Sequence, residues 1–344
     1  GGQTLMDKLS ENETEKTMLI NSIGRKWELG FTTLVLFGGA LFAAFPLFYA
    51  TSFGGAYWIW LSILFCFIIQ AVSYEYRTKS NNFLGQKTYE MFLKINGNIG
   101  TFLLGVAIST FFSGSEFIVD SNNFVDWQNP LRGLEALLNP YNYLLGFALV
   151  FLAKISGALY FINNINHEKI REKAVNSIKI NMIFFLIFFL GFMVWILIKD
   201  GYAVEKSGLI VIERFKYLQN FIDMPIVLSM FLIGVVMVII AVFVTITFGK
   251  TCCIKTGGVG IVLTVMAVLL NVGLNNTVYY PSTSDLQSSL TIMNSSGSHY
   301  TLMTMSYVSL MVPFVLAYIT YAWYSMDKVK ITKEEIESKD SHNY

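Results

Sequence analysis

The sequence predicts an all-α, polytopic integral membrane protein whose eight transmembrane helices pack as a bundle, and three observations support this fold class. Hydrophobic residues make up 54% of the 344 residues and charged residues only 14%, so a water-soluble domain could not cover its apolar surface. Eight apolar stretches are each long enough, at about 1.5 Å per residue, to cross a hydrocarbon core of about 30 Å. Basic residues also collect on alternate connections between these stretches, which is typical of membrane proteins.

The eight predicted spans are separated by polar connections of very different length. In chain order the spans cover residues 28–50, 55–76, 89–113, 141–163, 180–198, 225–248, 257–279 and 301–326. The connections at 51–54 and 249–256 are short, so the helices that flank each of them are predicted to be antiparallel neighbours. Pro46 and Pro313 lie inside apolar stretches and predict kinks, because proline lacks the N–H that a helix interior needs.

Polar segments at both ends complete the predicted domain organisation. Residues 1–27 are expected to form a cytoplasmic N-terminal segment with a short helix or pair of turns near the membrane interface. Residues 28–326 form the transmembrane domain, and 327–344 a cytoplasmic tail. Of the 24 Lys and Arg residues, 17 lie in these two segments and in the connections on the same side, against 5 on the opposite side. The positive-inside rule therefore places both ends in the cytoplasm.

Three longer connections, residues 114–140, 200–224 and 280–300, fall on the predicted external side. Each is too short to bury a core of its own, so no separate domain is expected. The formal net charge of +1 gives no indication of nucleic-acid binding. The sequence contains no phosphate-binding loop, nucleophile triad or metal-ligand cluster, so no catalytic residue is predicted on this chain.

Histidine placement gives the clearest chemical prediction. The three histidines, His167, His299 and His342, all fall in connections or in the tail. A haem inside the bilayer needs axial ligands there, usually His and sometimes Met, and Met at helical spacing is far more often packing than ligation. We therefore expect this chain to bind neither haem nor a transition metal.

Two lysines lie inside predicted spans, where a charge is costly and usually faces protein or water. Lys154 lies near the middle of the fourth span, where a buried partner and an incidental charge remain open alternatives. Lys94 lies a turn or two inside the third span, from which its ammonium group can snorkel to the cytoplasmic headgroups.

Two carboxylates, Glu28 beside Trp27 and Glu75 close to Arg77, lie at cytoplasmic ends of spans. One interpretation is structural, because a carboxylate there can cap a helix or pair with a cation, for instance Glu75 with Arg77. The other is a proton relay fed from the cytoplasm, which partial burial would favour by raising the carboxyl pKa. The residues alone leave both interpretations open.

Several stretches occur in an order that resembles one family. They are GGALFAAFPLFYA (38–50), YEYR (74–77), LNP (138–140), PS (281–282), SLTI (289–292), NSS (294–296) and ITKEEIE (331–337). This set resembles subunit II of the cytochrome bd-type quinol oxidases over nearly the whole chain. Chains of that family have nine membrane helices, and the resemblance begins just after the first, so the first helix is expected to be missing from this sequence.

The resemblance implies a haem-free subunit in a bacterial inner membrane, paired with a subunit I that carries haems b and d. That partner would oxidise quinol and reduce dioxygen to water. Subunit II would hold subunit I together, shape a route for protons or dioxygen, and bind membrane lipid or a structural quinone. A small single-helix accessory subunit is a further partner to consider.

The family also has a motif near the start of the first span, Trp-Asp-Gly-Asn with a second Trp three residues later, and assigns its Asp to a proton path. The corresponding residues here are Trp27, Glu28, Leu29, Gly30 and, in place of the second Trp, Thr33. An Arg of the family corresponds to Gln70. The resemblance thus makes Glu28, with Trp27 and Glu75, candidates for a proton path, and it offers no counterpart for Lys154.

Two other function classes remain as alternatives. A secondary transporter with a site at the bilayer midplane would use interrupted helices and paired ionisable groups in matched halves. Pro46 and Pro313 supply interruptions, but Lys154 is the only strongly central charge. A structural membrane scaffold without any conduction role is the third class.

Overall fold

The structure is a computed structural model that describes residues 1–79 and 81–337, and eight of its helices are long and apolar enough to cross a membrane. This confirms the predicted all-α, polytopic fold. The long helices run between two ends of the bundle. We call the end that holds α2 and the chain after α15 the terminal end, and the end that holds the three long connections the loop end.

The first half of the chain contributes four of the long spans. Its elements are a 3-10 turn (Gly2–Leu5), α1 (Met6–Leu9), α2 (Glu13–Gly24), α3 (Trp27–Ala44), α4 (Pro46–Phe48), a π-helical segment (Tyr49–Gly55), α5 (Tyr57–Tyr76), α6 (Gln86–Ile95), a π-helical segment (Asn96–Gly100), α7 (Thr101–Ser113), β1 (Phe117–Val119), β2 (Val125–Trp127), a 3-10 turn (Leu134–Leu138) and α8 (Pro140–Asn164). The segments α6 and α7 form one continuous span through the second π-helical segment.

The second half contributes the other four spans. Its elements are α9 (Glu168–Ile198), β3 (Gly201–Val204), β4 (Ile210–Glu213), α10 (Lys216–Asp223), α11 (Pro225–Phe248), α12 (Cys253–Gly273), a 3-10 turn (Leu286–Ser288), α13 (Ile292–Ser295), α14 (His299–Ser309), α15 (Val312–Asp327) and α16 (Lys333–Glu337). The strands form two antiparallel hairpins, β1–β2 and β3–β4, both in long connections.

Both predicted interruptions of the spans are present. The helix α3 ends at Ala44, and Pro46 begins the short helix α4. The last span is broken between α14 and α15, and Pro313 lies in the first turn of α15. Proline is tolerated in a first turn because its missing N–H would have no partner there anyway.

The fifth span is longer than predicted. The apolar stretch 180–198 lies within α9, which begins at Glu168 and runs for 31 residues. The His167 side chain accepts a hydrogen bond from the backbone N–H of Ile170 and so caps the helix. Hydropathy marks only the part of a helix that lies in the membrane, so the polar first turns were assigned to a connection.

Glycines allow two helix pairs to pack at very short distance. A Cβ on Gly105 of α7 would lie only 2.7 Å from the Cα atom of Gly146 on α8. In the same way, a Cβ on Gly234 of α11 would lie 2.7 Å from the carbonyl oxygen of Gly260 on α12. Small residues at such crossings let backbones approach closely, which is a main source of helix association in membranes.

The N-terminal segment packs inside the protein. Met6, Leu9, Met18 and Leu19 are fully buried in a cluster that also includes residues of α8 and α9. The predicted short helices are present, but their apolar side chains contact the bundle and not a membrane interface. The sequence pattern could not distinguish these two apolar environments.

The three long connections pack on one another at the loop end. Isolated β-bridges join Ser115 to Ser282 and Ala203 to Thr277, so all three segments are linked. Phe117 and Tyr280 stack with ring centroids 5.4 Å apart and are buried in one cluster with residues of α5 and α7. The buried residues of these connections share their cluster with the spans, and together the connections close this end of the bundle.

Candidate functional site

Two spans carry no buried residue, which distinguishes them from the rest of the bundle. Neither α3 nor the broken span α14–α15 buries a side chain against other parts of the described chain. Large apolar side chains such as Val35 and Phe314 are 73% and 69% exposed. We call the surface of α3, α14 and α15 the open face. It is the part of the bundle that most lacks a protein neighbour.

The candidate residues Trp27 and Glu28 begin the helix α3 at the terminal end. The Trp27 ring stacks on Tyr74 of α5, with centroids 6.1 Å apart and planes 14° apart. The indole N–H of Trp27 is buried and has no hydrogen-bond partner among the described residues. Glu28 is exposed, and its carboxylate makes no hydrogen bond or ion pair within residues 1–79 and 81–337. The carboxylate therefore lies free on the surface next to the open face.

Glu75 lies at the same end, exposed on α5, so it and Glu28 lie on helices that pack against each other. The suggested pair of Glu75 with Arg77 was wrong, because residues two apart on a helix do not face each other. The guanidinium of Arg77 instead donates to Glu90 Oε1, from Nε at 3.1 Å and from Nη2 at 2.9 Å. Arg77 is thus a buried structural cation, and Glu75 keeps a free carboxylate.

A chain of polar side chains runs from Tyr74 into the bundle. The Tyr74 hydroxyl donates to Gln3 Oε1 at 2.9 Å. Gln3 Nε2 donates to Gln70 Oε1 at 2.8 Å and to the carbonyl oxygen of Leu93 at 2.7 Å. The side-chain amide of Asn96 also donates to Gln70. We call this set the amide chain.

The amide chain was not predicted from the sequence. Asn96 Oδ1, at its inner end, is buried and has no hydrogen-bond partner among the described residues. Neutral amides inside apolar spans, such as Gln70 and Asn96, were the signal available. Their contact with Gln3 could not be foreseen, because 67 residues separate Gln3 from Gln70.

Acidic residues of the N-terminal segment hold cations of the bundle at the terminal end. Lys94 forms an ion pair with Asp7, and its snorkelling to headgroups stays a prediction. Lys16 lies 3.6 Å from Asp7, 3.0 Å from Glu13 and 3.2 Å from Glu90. Partial burial acts to raise the pKa of Asp7, but the Lys94 and Lys16 ammonium groups together outweigh it and hold that pKa below its ordinary value.

The same segment also reaches the start of α9. Glu11 pairs with Lys169 at 3.0 Å and with Lys173 at 3.1 Å, and these ammonium groups lower the pKa of Glu11. His167 Nε2 lies 3.7 Å from Glu15 Oε1. The N-terminal segment therefore contacts both the third and the fifth spans through charged groups.

The tail ties the last span to the N-terminal segment. Lys26 forms an ion pair with Asp327, and Arg25 forms one with Glu335. The side-chain amide of Asn164 at the end of α8 donates to the Asp327 carboxylate at 2.6 Å. These bonds fix the terminal end of α15, which has few other contacts.

Lys154 differs from the other cations at this end. Its side chain is half-buried on α8, and its ammonium lies 5.5 Å from the centroid of the Phe151 ring. No Asp or Glu lies within 4.0 Å of it in the part of the chain that the structure describes. Both interpretations of this lysine made from the sequence thus remain predictions.

Comparison with known proteins decides the family. The sequence profile of the family described as cytochrome bd terminal oxidase subunit II matches residues 1–326. The chain belongs to this family. It is 27% identical to the cytochrome bd-I ubiquinol oxidase subunit 2 of Escherichia coli strain K12, over 97% of this chain and 89% of that protein.

Two further relatives agree with the membership. They are the probable cytochrome oxidase subunit 2 of Haemophilus influenzae, 26% identical over 96% of this chain and 88% of that protein, and the cytochrome bd ubiquinol oxidase subunit 2 of Bacillus subtilis, 26% identical over 95% and 88%. The resemblance inferred from the ordered motifs is confirmed. As a cytochrome bd subunit II, the chain is a multi-pass membrane protein that takes part in catalysis as one subunit of an oxidase, and a subunit I is its implied partner.

The two histidines that the structure describes lie at separate places in this subunit II. His167 caps α9 and His299 is the first residue of α14, while His342 lies outside the described residues. Within residues 1–79 and 81–337, no group of three or more His, Cys, Asp or Glu side chains is arranged to hold a metal ion.

Proposed function

We propose that this chain is the haem-free subunit II of a quinol:oxygen oxidoreductase in a bacterial inner membrane, with its terminal end in the cytoplasm. Its partner, subunit I, would carry haems b and d and perform the oxidation of quinol. The observation that carries the proposal is the open face, on a chain of this family. An apolar face that buries no residue within the described chain is where a second membrane subunit would pack.

The surface of α3 suits such a partner. A Cβ placed on Gly30, Gly38 or Gly39 would meet no atom within 4 Å, so the backbone of α3 is accessible at these positions. A helix of subunit I could approach it closely and gain van der Waals contacts that lipid chains cannot match. The tail supports the same role, because its ion pairs fix α15 beside α3.

Purification of the full-length tagged protein from its native membrane tests this proposal. We expect a larger subunit to copurify, with b- and d-type haem bands in the reduced-minus-oxidised spectrum and oxygen uptake driven by quinol. A colourless protein without a partner would overturn the proposal and favour a transporter.

A matched pair of variants tests the position of the interface. Gly39→Leu adds bulk to the open face, and Gly258→Leu adds the same bulk to α12, where a Cβ also meets no atom within 4 Å. The first variant should lose the copurified haem bands and the second should keep them. Equal haem content in both variants would mean that α3 faces lipid.

We further propose that Glu28, with Trp27 and Glu75, admits protons from the cytoplasm. Both carboxylates are free at the terminal end, and a partner on the open face would enclose Glu28. The stacking of Trp27 on Tyr74 places the start of the amide chain beside them. Amides and phenols do not carry the charge themselves, but they can order the water molecules that pass a proton.

Glu28→Gln keeps the size of the side chain and removes its acid. Loss of a positioned acid–base group commonly lowers a rate by about 10²-fold or more. Water can partly replace a carboxylate in a proton relay, so the rate should fall by less in this case. We expect oxygen uptake to fall by about tenfold at unchanged haem content. Glu205→Gln, at the exposed loop end, is the control. Normal turnover of a fully assembled Glu28→Gln complex would exclude the relay.

The structural quinone and the dioxygen route that the resemblance implies rest on fewer residues. Gln70 Nε2 makes no hydrogen bond to another described residue, so it is the donor that would hold a quinone carbonyl. Extraction of quinone from the purified complex tests this, and its loss in Gln70→Leu would assign the site. Thr33 leaves the position of the family's second Trp without an aromatic ring, so a dioxygen route would have to pass along other side chains.

A further inference from the structure

Three exposed cations lie at the terminal end, where α9 meets the connection between α11 and α12. They are Arg171 on α9, Lys250 in the connection and Lys255 in the first turn of α12. No Asp or Glu lies within 4.0 Å of these cations in the part of the chain that the structure describes. Lys169 and Lys173, on the same helix as Arg171, are instead paired with Glu11. We call Arg171, Lys250 and Lys255 the basic patch.

A hydrogen bond brings the members of the basic patch together. The guanidinium of Arg171 donates to the carbonyl oxygen of Gly249, the residue directly before Lys250. Because the connection spans only residues 249–252, Lys255 at the start of α12 also lies near this point. A guanidinium has five N–H donors, so Arg171 keeps donors for a further acceptor. A surface of one charge sign attracts anions, and this one offers both ammonium and guanidinium groups.

An apolar stripe on α12 begins beside Lys255. Val259, Val262, Met266 and Leu269 follow Lys255 at intervals of four and three residues, so all five side chains lie on one face of the helix. The four apolar side chains are 52%, 63%, 49% and 37% exposed. The stripe is about 15 Å long at about 1.5 Å per residue, which is half of a hydrocarbon core of about 30 Å. Its length therefore matches one leaflet of a bilayer.

An anionic phospholipid combines the two groups that this surface would bind. Its phosphate can accept charge-assisted hydrogen bonds from Arg and Lys, and its acyl chains can cover the apolar stripe. A soluble anion would contact the cations and leave the stripe uncovered. A helix of a partner subunit would contact the stripe, but the stripe contains no glycine, unlike the close crossings of α7 with α8 and of α11 with α12.

We infer that the basic patch and the apolar stripe bind one anionic phospholipid, with its phosphate at Arg171, Lys250 and Lys255 and an acyl chain along the stripe. The lipid would tie α9 to α12 at the terminal end, as Glu11 ties α9 to the N-terminal segment. Other helices form the open face, so the lipid can stay bound when a partner packs there. The inference therefore does not depend on the proposed function.

Titration of the purified protein with phosphatidylglycerol, followed by native mass spectrometry, tests this inference. Each basic residue near a membrane surface contributes roughly fivefold to the binding of anionic lipid, so Lys250→Gln/Lys255→Gln should weaken binding of the first lipid by about 30-fold. Lys169→Gln/Lys173→Gln removes the same charge from α9 and is the control, which should bind the lipid as the native protein does. None of the substituted side chains is buried, so all three proteins should unfold at the same temperature.

Two results of this titration would overturn the inference. Equal affinity of the native protein and Lys250→Gln/Lys255→Gln would mean that the basic patch does not hold the phosphate. An equal loss of affinity in both double variants would mean that the lipid responds to the net charge of the protein alone. Phosphatidylcholine, whose headgroup has no net charge, should bind to all three proteins equally.

A second titration separates a lipid from a soluble phosphate. Glycerol 3-phosphate has the phosphate without the acyl chains, so it should not displace phosphatidylglycerol at equal concentration. Val262→Asn should weaken binding of the lipid, whereas Val236→Asn, on an exposed position of α11, should not. Displacement by glycerol 3-phosphate would overturn the inference in favour of a soluble anion. Equal affinity of the two Asn variants would overturn it as well, because the stripe would then hold no acyl chain.

Discussion

Replacing Glu90 by Gln would leave Arg77 buried without its main counter-charge. The Arg77 side chain is 0% exposed and that of Glu90 is 6% exposed, so neither charge is solvated by water in the folded chain. Glu13 lies 3.7 Å from Arg77, but its side chain is 69% exposed and it compensates only in part. The perturbation therefore removes the main counter-charge of a buried cation.

The expected magnitude follows from this burial. Removing one partner of a buried pair typically costs about 3–5 kcal/mol, and the residual contact with Glu13 places this case near about 3 kcal/mol. With an unfolding entropy of about 2.1 cal/mol/K per residue, this loss lowers the thermal midpoint of a 344-residue chain by about 4 °C.

Thermal unfolding of the complex in nanodiscs, followed by the fluorescence of buried tryptophan, measures this shift. Glu11→Gln is the matched control, because Glu11 pairs with lysines at the exposed surface and should change the midpoint little. The double variant Arg77→Met/Glu90→Met should recover most of the loss, since it removes both charges. A Glu90→Gln midpoint as high as that of the control would refute the reasoning, because Arg77 would then not depend on Glu90.

Two further predictions concern the loop end and the helix crossings. Burial raises the pKa of Glu135 above its ordinary value of 4.5, so its ionised form opposes folding once the pH exceeds that raised pKa. Glu135→Gln should therefore raise the thermal midpoint at pH 8. It should change the midpoint little at pH 4, where the acid is protonated in both the folded and the unfolded protein. Glu205→Gln is the control, and an equal shift at both pH values would contradict this prediction. Gly105→Ala should lower the thermal midpoint, because the added Cβ would lie 2.7 Å from the Cα atom of Gly146. Gly258→Ala should be neutral or slightly stabilising, because its added Cβ would meet no atom within 4 Å. Equal midpoints for the two alanine variants would mean that α7 and α8 can separate without cost.

The eight membrane spans could be predicted from the sequence, because the length and apolarity of a segment indicate that it crosses a membrane. The sequence was insufficient where a helix continues into water, as α9 does before residue 180, since charged first turns look like a connection. The kinks at Pro46 and Pro313 were predictable because a missing N–H acts locally.

The candidate site was predictable only in part. Trp27 and Glu28 could be assigned by their neighbours in sequence, and the structure places them at the edge of the open face. The partners of Arg77 and Lys94 could not be assigned, because they depend on how the N-terminal segment folds back on the bundle. The amide chain depends on the same fold-back through Gln3.

The ion pairs of the terminal end also constrain the order in which the protein can be completed during synthesis. Asp7 meets Lys94, and Arg25 meets Glu335, so the second pair joins residues 310 positions apart. At translation rates of about 5–20 residues per second, the Arg25 side chain would wait roughly 15–60 s before its partner is made. During that interval the N-terminal segment lacks this ion pair, and a chain that ends before Glu335 would never form it.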